Sequence, residues 1–354
     1  MPPLYVMTDL VFGAIFVAAF ILILGKRGEI QPLHHRMQSM DFVKGAAMIT
    51  VVMVHVGTIV TPGRALDPFI GSGVELFILA SGYLLARRYA NSLDLRTYFG
   101  KIFFRIVLIY ALFVIAVHIV SNGFSLSFPD LLMDFALGRS NGSGYYFIPV
   151  ILQFYIAFPL MRALGKKVDP RILLVLLFLA CAYWTHLDSQ MRKPAWDSNP
   201  HVLAFFGRYI FFFALGLYMA PYELSNMGKK KLLAVAAIYI AGAAAVSFAT
   251  NDLFLGNVYA VFAFIAIYLA YREAGKSAFG KKLAAAVAAI GAQSLLIYLF
   301  HAMILYGIVA RFAPKLPDSV AYVLFTIATL ALSYAASLVF MKAYWKATGF
   351  NAQA

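Results

Sequence analysis

Residues 100–120 read GKIFFRIVLIYALFVIAVHIV. Two basic side chains, Lys101 and Arg105, stand near the start, and residues 106–120 contain no Asp, Glu, Lys or Arg. At ~1.5 Å per residue this stretch makes a helix of roughly 31 Å, the thickness of a bilayer's hydrocarbon core. Lipid-exposed backbone must satisfy its own hydrogen bonds, so the apolar run reads as a membrane-spanning helix with a basic anchor at one end. Comparable apolar segments recur at 4–25, 41–61, 69–87, 144–164, 171–187, 203–220, 232–249, 254–272, 292–312 and 319–341. The expected fold is therefore an all-α polytopic membrane protein with about eleven transmembrane helices.

Composition agrees. The chain has 354 residues, 63% hydrophobic and 12% charged, where a soluble domain carries about 25% charged residues. Such an apolar excess cannot be hidden in one aqueous core. The net charge of +14 does not point to nucleic acid, because the basic residues sit in short connecting segments. One set of loops holds Lys26, Arg27 and Arg36; Arg87, Arg88, Arg96 and Lys101; Lys166, Lys167 and Arg171; Lys229, Lys230 and Lys231; Arg272, Lys276, Lys281 and Lys282; and Lys342 and Lys346. The alternate loops carry Asp67, Asp130, Asp134, Asp188, Asp197, Asp252 and Asp318. The positive-inside rule then predicts a plasma-membrane protein with its N-terminus outside and its C-terminus in the cytoplasm. Residues 1–10 contain no Lys or Arg, unlike a signal peptide, so 4–25 is read as a retained helix. Segment 280–291 is expected to be a short interfacial helix, and 131–137 a short helix dipping into the outer surface. Cys181 is the one cysteine, which leaves no disulfide or cysteine-based metal site within one chain.

Ionisable groups at membrane depth are costly and so are functional candidates. Lys44 and His55 are eleven residues apart, close to three helical turns, and share a face about 16 Å apart along the axis. Glu75 lies about six residues from the outer end of the next span, and His55 about as far from the outer end of its own. The expectation is that the two share a depth and pair, the carboxylate orienting the imidazole as a general base; a structural His–Glu hydrogen bond is the other reading. His301 also lies near mid-membrane, and Arg208 near an outer end, where it is either functional or an interface anchor. Arg87, Arg88, Arg96, Lys101 and Arg105 are what positive-inside bias alone supplies, or else an anion site. No His-Glu-x-x-His, P-loop or dinucleotide-binding glycine pattern is present, and no metal site is expected.

Several stretches resemble one family in order along the chain. Met40-Asp41-Phe42-Val43-Lys44-Gly45-Ala46-Ala47, followed by His55, is similar to the opening helix of the acyltransferase-3 membrane family, whose signature is Arg, ten residues, then His; here Lys44 replaces the Arg. Gly73-Val74-Glu75-Leu76-Phe77 through Ser81-Gly82-Tyr83 resembles the family's Gly-Val-acid-Leu-Phe run. Arg105-Ile106 falls in its basic segment. Gly144-Tyr145-Tyr146-Phe147 resembles a Leu-Trp-Phe-Leu element with Tyr146 at the Trp position, and Tyr298-Leu299-Phe300-His301 resembles its late Tyr-Leu-x-His helix. The resemblance covers about residues 38–341 and implies a ten-helix core over 38–345, an extra N-terminal helix and linker over 1–37, and a short tail over 346–354.

It further implies an O-acyltransferase that takes an acyl group, most simply acetyl, from acetyl-CoA or another acyl-CoA to a hydroxyl of a cell-surface or envelope glycan, with no metal. The expected roles are His55 and Glu75 as the catalytic base and its orienter. Lys44, Arg105, Arg87 and Arg88 would hold the donor's phosphates, with Lys44 acting as a point charge where Arg would bind bidentately. Arg208, Tyr146 and His301 would position the acceptor or stabilise the oxyanion. The competing reading of the same buried His and Glu residues is a proton relay in an exporter of a glycan or lipid-linked precursor.

Overall fold

The computed structural model describes residues 30, 32, 36–60, 70–122, 127–138, 145–192, 205–221, 228, 230–234, 236–237, 241, 260–315 and 318–349. The elements are α1 (Gln38–Gly57), α2 (Gly73–Arg88), α3 (Leu95–Ile102), a π-helical turn (Phe103–Val107), α4 (Leu108–Asn122), α5 (Phe128–Leu137), α6 (Phe147–Lys167), α7 (Pro170–Arg192), a 3₁₀ turn (Phe206–Tyr209) leading into α8 (Ile210–Met219), α9 (Ala260–Ala274), α10 (Ala278–Ala292), α11 (Ser294–Gly307) and α12 (Asp318–Thr348). No strand occurs among the described residues.

Five of the described helical stretches are long and apolar enough to cross a membrane: Gln38–Gly57, Leu95–Val120, Phe147–Lys167, Ser294–Phe312 and Asp318–Thr348. Pro170–Trp184 and Phe206–Met219 are shorter apolar helices. The protein is a helical membrane protein, and these account for part of the eleven expected spans. Expected spans 69–87 and 254–272 are seen as the shorter helices α2 and α9, whereas 4–25 and most of 232–249 lie outside the described residues.

Helix α1 is the hub, packed against α2, α9, α10, α11 and α12. In lipid, helices gain little from the hydrophobic effect, and close backbone packing holds them together. The α1–α10 seam shows this. A Cβ on Gly45 would overlap the carbonyl oxygen of Val287, and one on Gly291 would overlap that of Asp41. Segment 280–291 thus lies within α10, pressed backbone to backbone against α1. A second such seam joins α2 to α8, where Gly82 meets the Phe213 carbonyl and Gly216 meets that of Leu79. Behind it, the Phe154 and Phe213 rings stack with centroids 4.7 Å apart, worth about 0.5–1.5 kcal/mol beyond their burial.

Local chemistry sets the irregular points. Asp94 caps α3 by accepting from the backbone N–H groups of Arg96 and Thr97, which otherwise lack partners in a first turn. Pro159 inside α6 has no N–H to offer the carbonyl of residue 155; the buried Tyr98 hydroxyl donates to that oxygen instead, at 2.7 Å. Helix α5, ten residues or ~15 Å long, is too short to span. One side is tied to α4 by Tyr110, whose hydroxyl donates to the Phe135 carbonyl at 3.1 Å, and by His118 Nδ1 against Asp134 Oδ2 at 3.1 Å. Its Phe128, Leu132 and Met133 are exposed.

Candidate active site

His55 lies in the last turn of α1 and His301 in the middle of α11. The two helices run parallel here: His55 meets His301, and Thr58, one turn on, has its hydroxyl 3.1 Å from that of Tyr306. The imidazole centroids are 4.8 Å apart and the ring planes 29° apart, with His55 Nδ1 2.9 Å from His301 Nε2. On its far side His301 Nδ1 bonds the carbonyl oxygen of Tyr298.

That carbonyl decides the tautomers. It can only accept, so His301 Nδ1 carries the proton. In a neutral His301, Nε2 is then the lone pair, and His55 Nδ1 donates to it. His55 Nε2 is left as a lone pair with no hydrogen bond among the described residues. An oriented base with a defined tautomer is what general-base chemistry requires. The orienting group expected from the sequence was Glu75; the structure gives His55 a different ring partner, His301.

Helix register explains why Glu75 is elsewhere. The α1–α2 pair is antiparallel, with Gly73 against Ala47, Thr50 and Val51 and Arg87 against Met37. Glu75 therefore lies near the level of residues 48–49 of α1, about seven residues or roughly 10 Å along the axis from His55. Counting residues from the expected span ends puts the two at one depth; the actual register of α1 against α2 does not. Glu75 is 3% exposed, and its Oε2 has no hydrogen-bond partner among the described residues. Its electrostatic neighbour is Arg208, on the 3₁₀ turn leading into α8, which the α2–α8 seam brings across. Tyr209 interacts with both Glu75 and Arg208 and is hydrogen-bonded to Tyr146. Tyr146 in turn neighbours Tyr298, whose carbonyl holds His301. A series of electrostatic neighbours thus runs from Glu75 through Arg208, Tyr209 and Tyr146 to the Tyr298 ring, and the Tyr298 backbone carbonyl joins it to the histidine pair. It contains five of the residues singled out from sequence: His55, Glu75, Arg208, Tyr146 and His301. Tyr209 is an addition, and nothing separates it in sequence from the other buried tyrosines of the chain; Tyr298, the tyrosine of the Tyr298-Leu299-Phe300-His301 element, gains a place beside Tyr146.

The basic candidates divide into two groups. Lys44 lies 2.9 Å from Asp41 Oδ1, and Arg36 engages the other oxygen of the same carboxylate. Lys44 thus uses one of its three donors on a buried aspartate. Arg87 donates to the Tyr83 hydroxyl at 3.0 Å beside this group. Arg88, Lys101 and Arg105 form the other, close enough for their charges to act on one another. Arg105 rides on the π-helical turn, a distortion common at functional sites and one that no residue pattern announces. It borders a cavity of about 180 Å³ whose walls include Phe104, Gln293, Leu295, Leu296 and Tyr344. The cavity's α11 wall leads directly to the histidines: His301 follows Leu296 by five residues, roughly 8 Å. Arg105 is the one cation among the cavity's lining residues, and the charges of Arg88 and Lys101 reach Arg105 from beside it. No group of three or more His, Cys, Asp or Glu that would hold a metal occurs among the described residues.

The family model for an acyltransferase domain, acyltransferase-3, matches residues 37–338. The chain belongs to the acyltransferase-3 family. That match takes in every candidate-site residue named above except Arg36 and Tyr344. No curated protein and no solved structure matches the chain.

Proposed function

We propose that this acyltransferase moves an acetyl group from acetyl-CoA to a hydroxyl of a cell-surface or envelope glycan, in the plasma membrane, with its N-terminus outside and C-terminus in the cytoplasm. The observation that carries the reading is the His55–His301 contact, which leaves His55 Nε2 as an oriented base. Arg88 and Arg105, with Lys101 beside them, bind the donor's phosphates, and Lys44 and Arg87 line the same face of the membrane. The thioester lies along α11 towards His301. His55 Nε2 takes the proton of the acceptor hydroxyl as its oxygen attacks the thioester carbonyl. The C–O bond forms, the C–S bond breaks, and the proton on His55 passes to the departing CoA thiolate. Arg208, with the Glu75 charge as its neighbour, and Tyr146 set the acceptor and the oxyanion in place.

The test is release of free CoA thiol by purified protein in detergent given acetyl-CoA, with and without a crude envelope-glycan extract. Release that requires both the extract and His55 is expected. A His55→Ala protein that remains folded and releases thiol at the wild-type rate would overturn the assignment.

A further inference from the structure

A second cavity, of about 140 Å³, lies between α2, α6, α7 and α8, at the end of α2 remote from Glu75. Each helix gives it apolar wall: Ala86, Phe158, Leu173, Leu174 and Leu217. Two cations border it, Arg162 and Lys166, one turn apart on α6. Arg162 is fixed there by one hydrogen bond, Nη2 donating to the Ala90 carbonyl at 3.2 Å, which leaves the rest of its five donors to a ligand. The volume is below the roughly 300–1,000 Å³ of sites that enclose a drug-sized molecule, so it suits part of one acyl chain. The outer faces of the two helices that wall it, with Leu160, Leu164, Ile172 and Leu176, are exposed and apolar. In a membrane protein such faces meet lipid tails.

From this we infer that the cavity binds an anionic phospholipid, one acyl chain entering between α6 and α7 and the phosphate held by Arg162 and Lys166. A basic pocket between helices suits an anionic headgroup, and the apolar interior suits the chain attached to it. The site is independent of the acyl-transfer reading, since neither cation belongs to that machinery.

The experiment uses the full chain in detergent. Phosphatidylglycerol, phosphatidylcholine, glycerol phosphate and inorganic phosphate are each titrated against thermal unfolding, and bound lipid is counted by native mass spectrometry. Phosphatidylglycerol alone is expected to be retained and to raise the unfolding temperature. The double variant Arg162→Gln/Lys166→Gln is expected to weaken that binding roughly thirtyfold, taking each cation at ~1 kcal/mol. Gly165→Leu supplies an independent variant: its side chain has open space around it and would fill the cavity while keeping both charges. It should also lower retention. An equal response to phosphatidylcholine would remove the headgroup recognition. An equal response to inorganic or glycerol phosphate would leave a phosphate site and no chain. Displacement of the lipid by CoA would assign the cavity to the donor. Unchanged retention in both variants would overturn the proposal outright.

Discussion

Replacing His301 by Phe keeps a ring of similar size in a fully buried position but removes the acceptor for His55 Nδ1. The hydrogen bond at 2.9 Å is lost, and a donor inside the bundle is left without a partner, a cost of about 1–3 kcal/mol. His55 is then free to move its proton to Nε2, the nitrogen that must be bare to act as base. If that cost appears in the activation barrier, kcat falls between about 5-fold and 150-fold, at 1.36 kcal/mol per factor of ten. KM for acetyl-CoA should change less than twofold, because the cavity beside Arg105 is a turn and a half of α11 away. His301→Gln, whose amide oxygen can accept from His55, should recover part of the rate. The assay is initial-rate thiol release at saturating glycan extract over a range of acetyl-CoA, with unfolding temperatures measured alongside. A His301→Phe protein with wild-type kcat, or with an effect confined to KM, would refute the orienting role.

Other outcomes follow from the same geometry. Arg88→Gln and Arg105→Gln should each raise KM for acetyl-CoA about fivefold with little change in kcat, a screened contact of ~1 kcal/mol, as read from the same rate curves. Gly45→Ala and Gly291→Ala each drive a methyl group into a backbone carbonyl across the α1–α10 seam. Overpacking of this kind costs about 1–3 kcal/mol or more, so both should lose monodisperse protein on gel filtration, while Gly100→Ala, with open space around its Cβ, should not. Tyr98→Phe leaves the Tyr155 carbonyl without its donor beside Pro159 and should cost about 1–3 kcal/mol, measured as a lower unfolding temperature. Asp94 is held below the usual carboxylate range, first by the Thr97 side chain and then by the Thr97 and Arg96 backbone N–H groups. Its contribution to the α3 cap is therefore present above the unfolded-state pKa and is lost as pH falls through the lower folded value. The protection of the Arg96 and Thr97 amides, the observed exchange rate set against the intrinsic rate at each pH, should fall on that descent, and in Asp94→Ala it should be low throughout.

Apolar run length made the helices legible, since bilayer thickness translates directly into residue count; α1 and α6 begin and end within about four residues of the expected spans, whereas α11 stops at Gly307 and α12 runs on to Thr348. The ionisable residues were legible for the same reason: charge at depth stands out against 63% hydrophobic residues. What could not be read was which of them meet. His55 and His301 are 246 positions apart, and the contact depends on two helices lying parallel in one register. The expected His55–Glu75 pair failed on an offset of about seven residues, because Gly73 lets α2 nest against Ala47 and Val51 instead of starting level with the end of α1. Likewise, the small residues that reveal the α1–α10 seam, Gly45 and Gly291, are unremarkable among 25 glycines until their neighbours are known. For 280–291 the expectation is a short interfacial helix, and only the missing Cβ atoms of Gly45 and Gly291 show why it packs against α1.

His55, oriented by His301, is proposed as the base that activates a glycan hydroxyl towards the acetyl group of acetyl-CoA. Membranes containing the wild-type protein, His55→Gln or His301→Phe would be given acetyl-CoA labelled in the acetyl group, and label in the envelope glycan would be counted before and after mild alkali. Wild type should yield alkali-labile label, His301→Phe a reduced rate, and His55→Gln none above membranes lacking the protein. Full labelling by a folded His55→Gln protein would contradict the account.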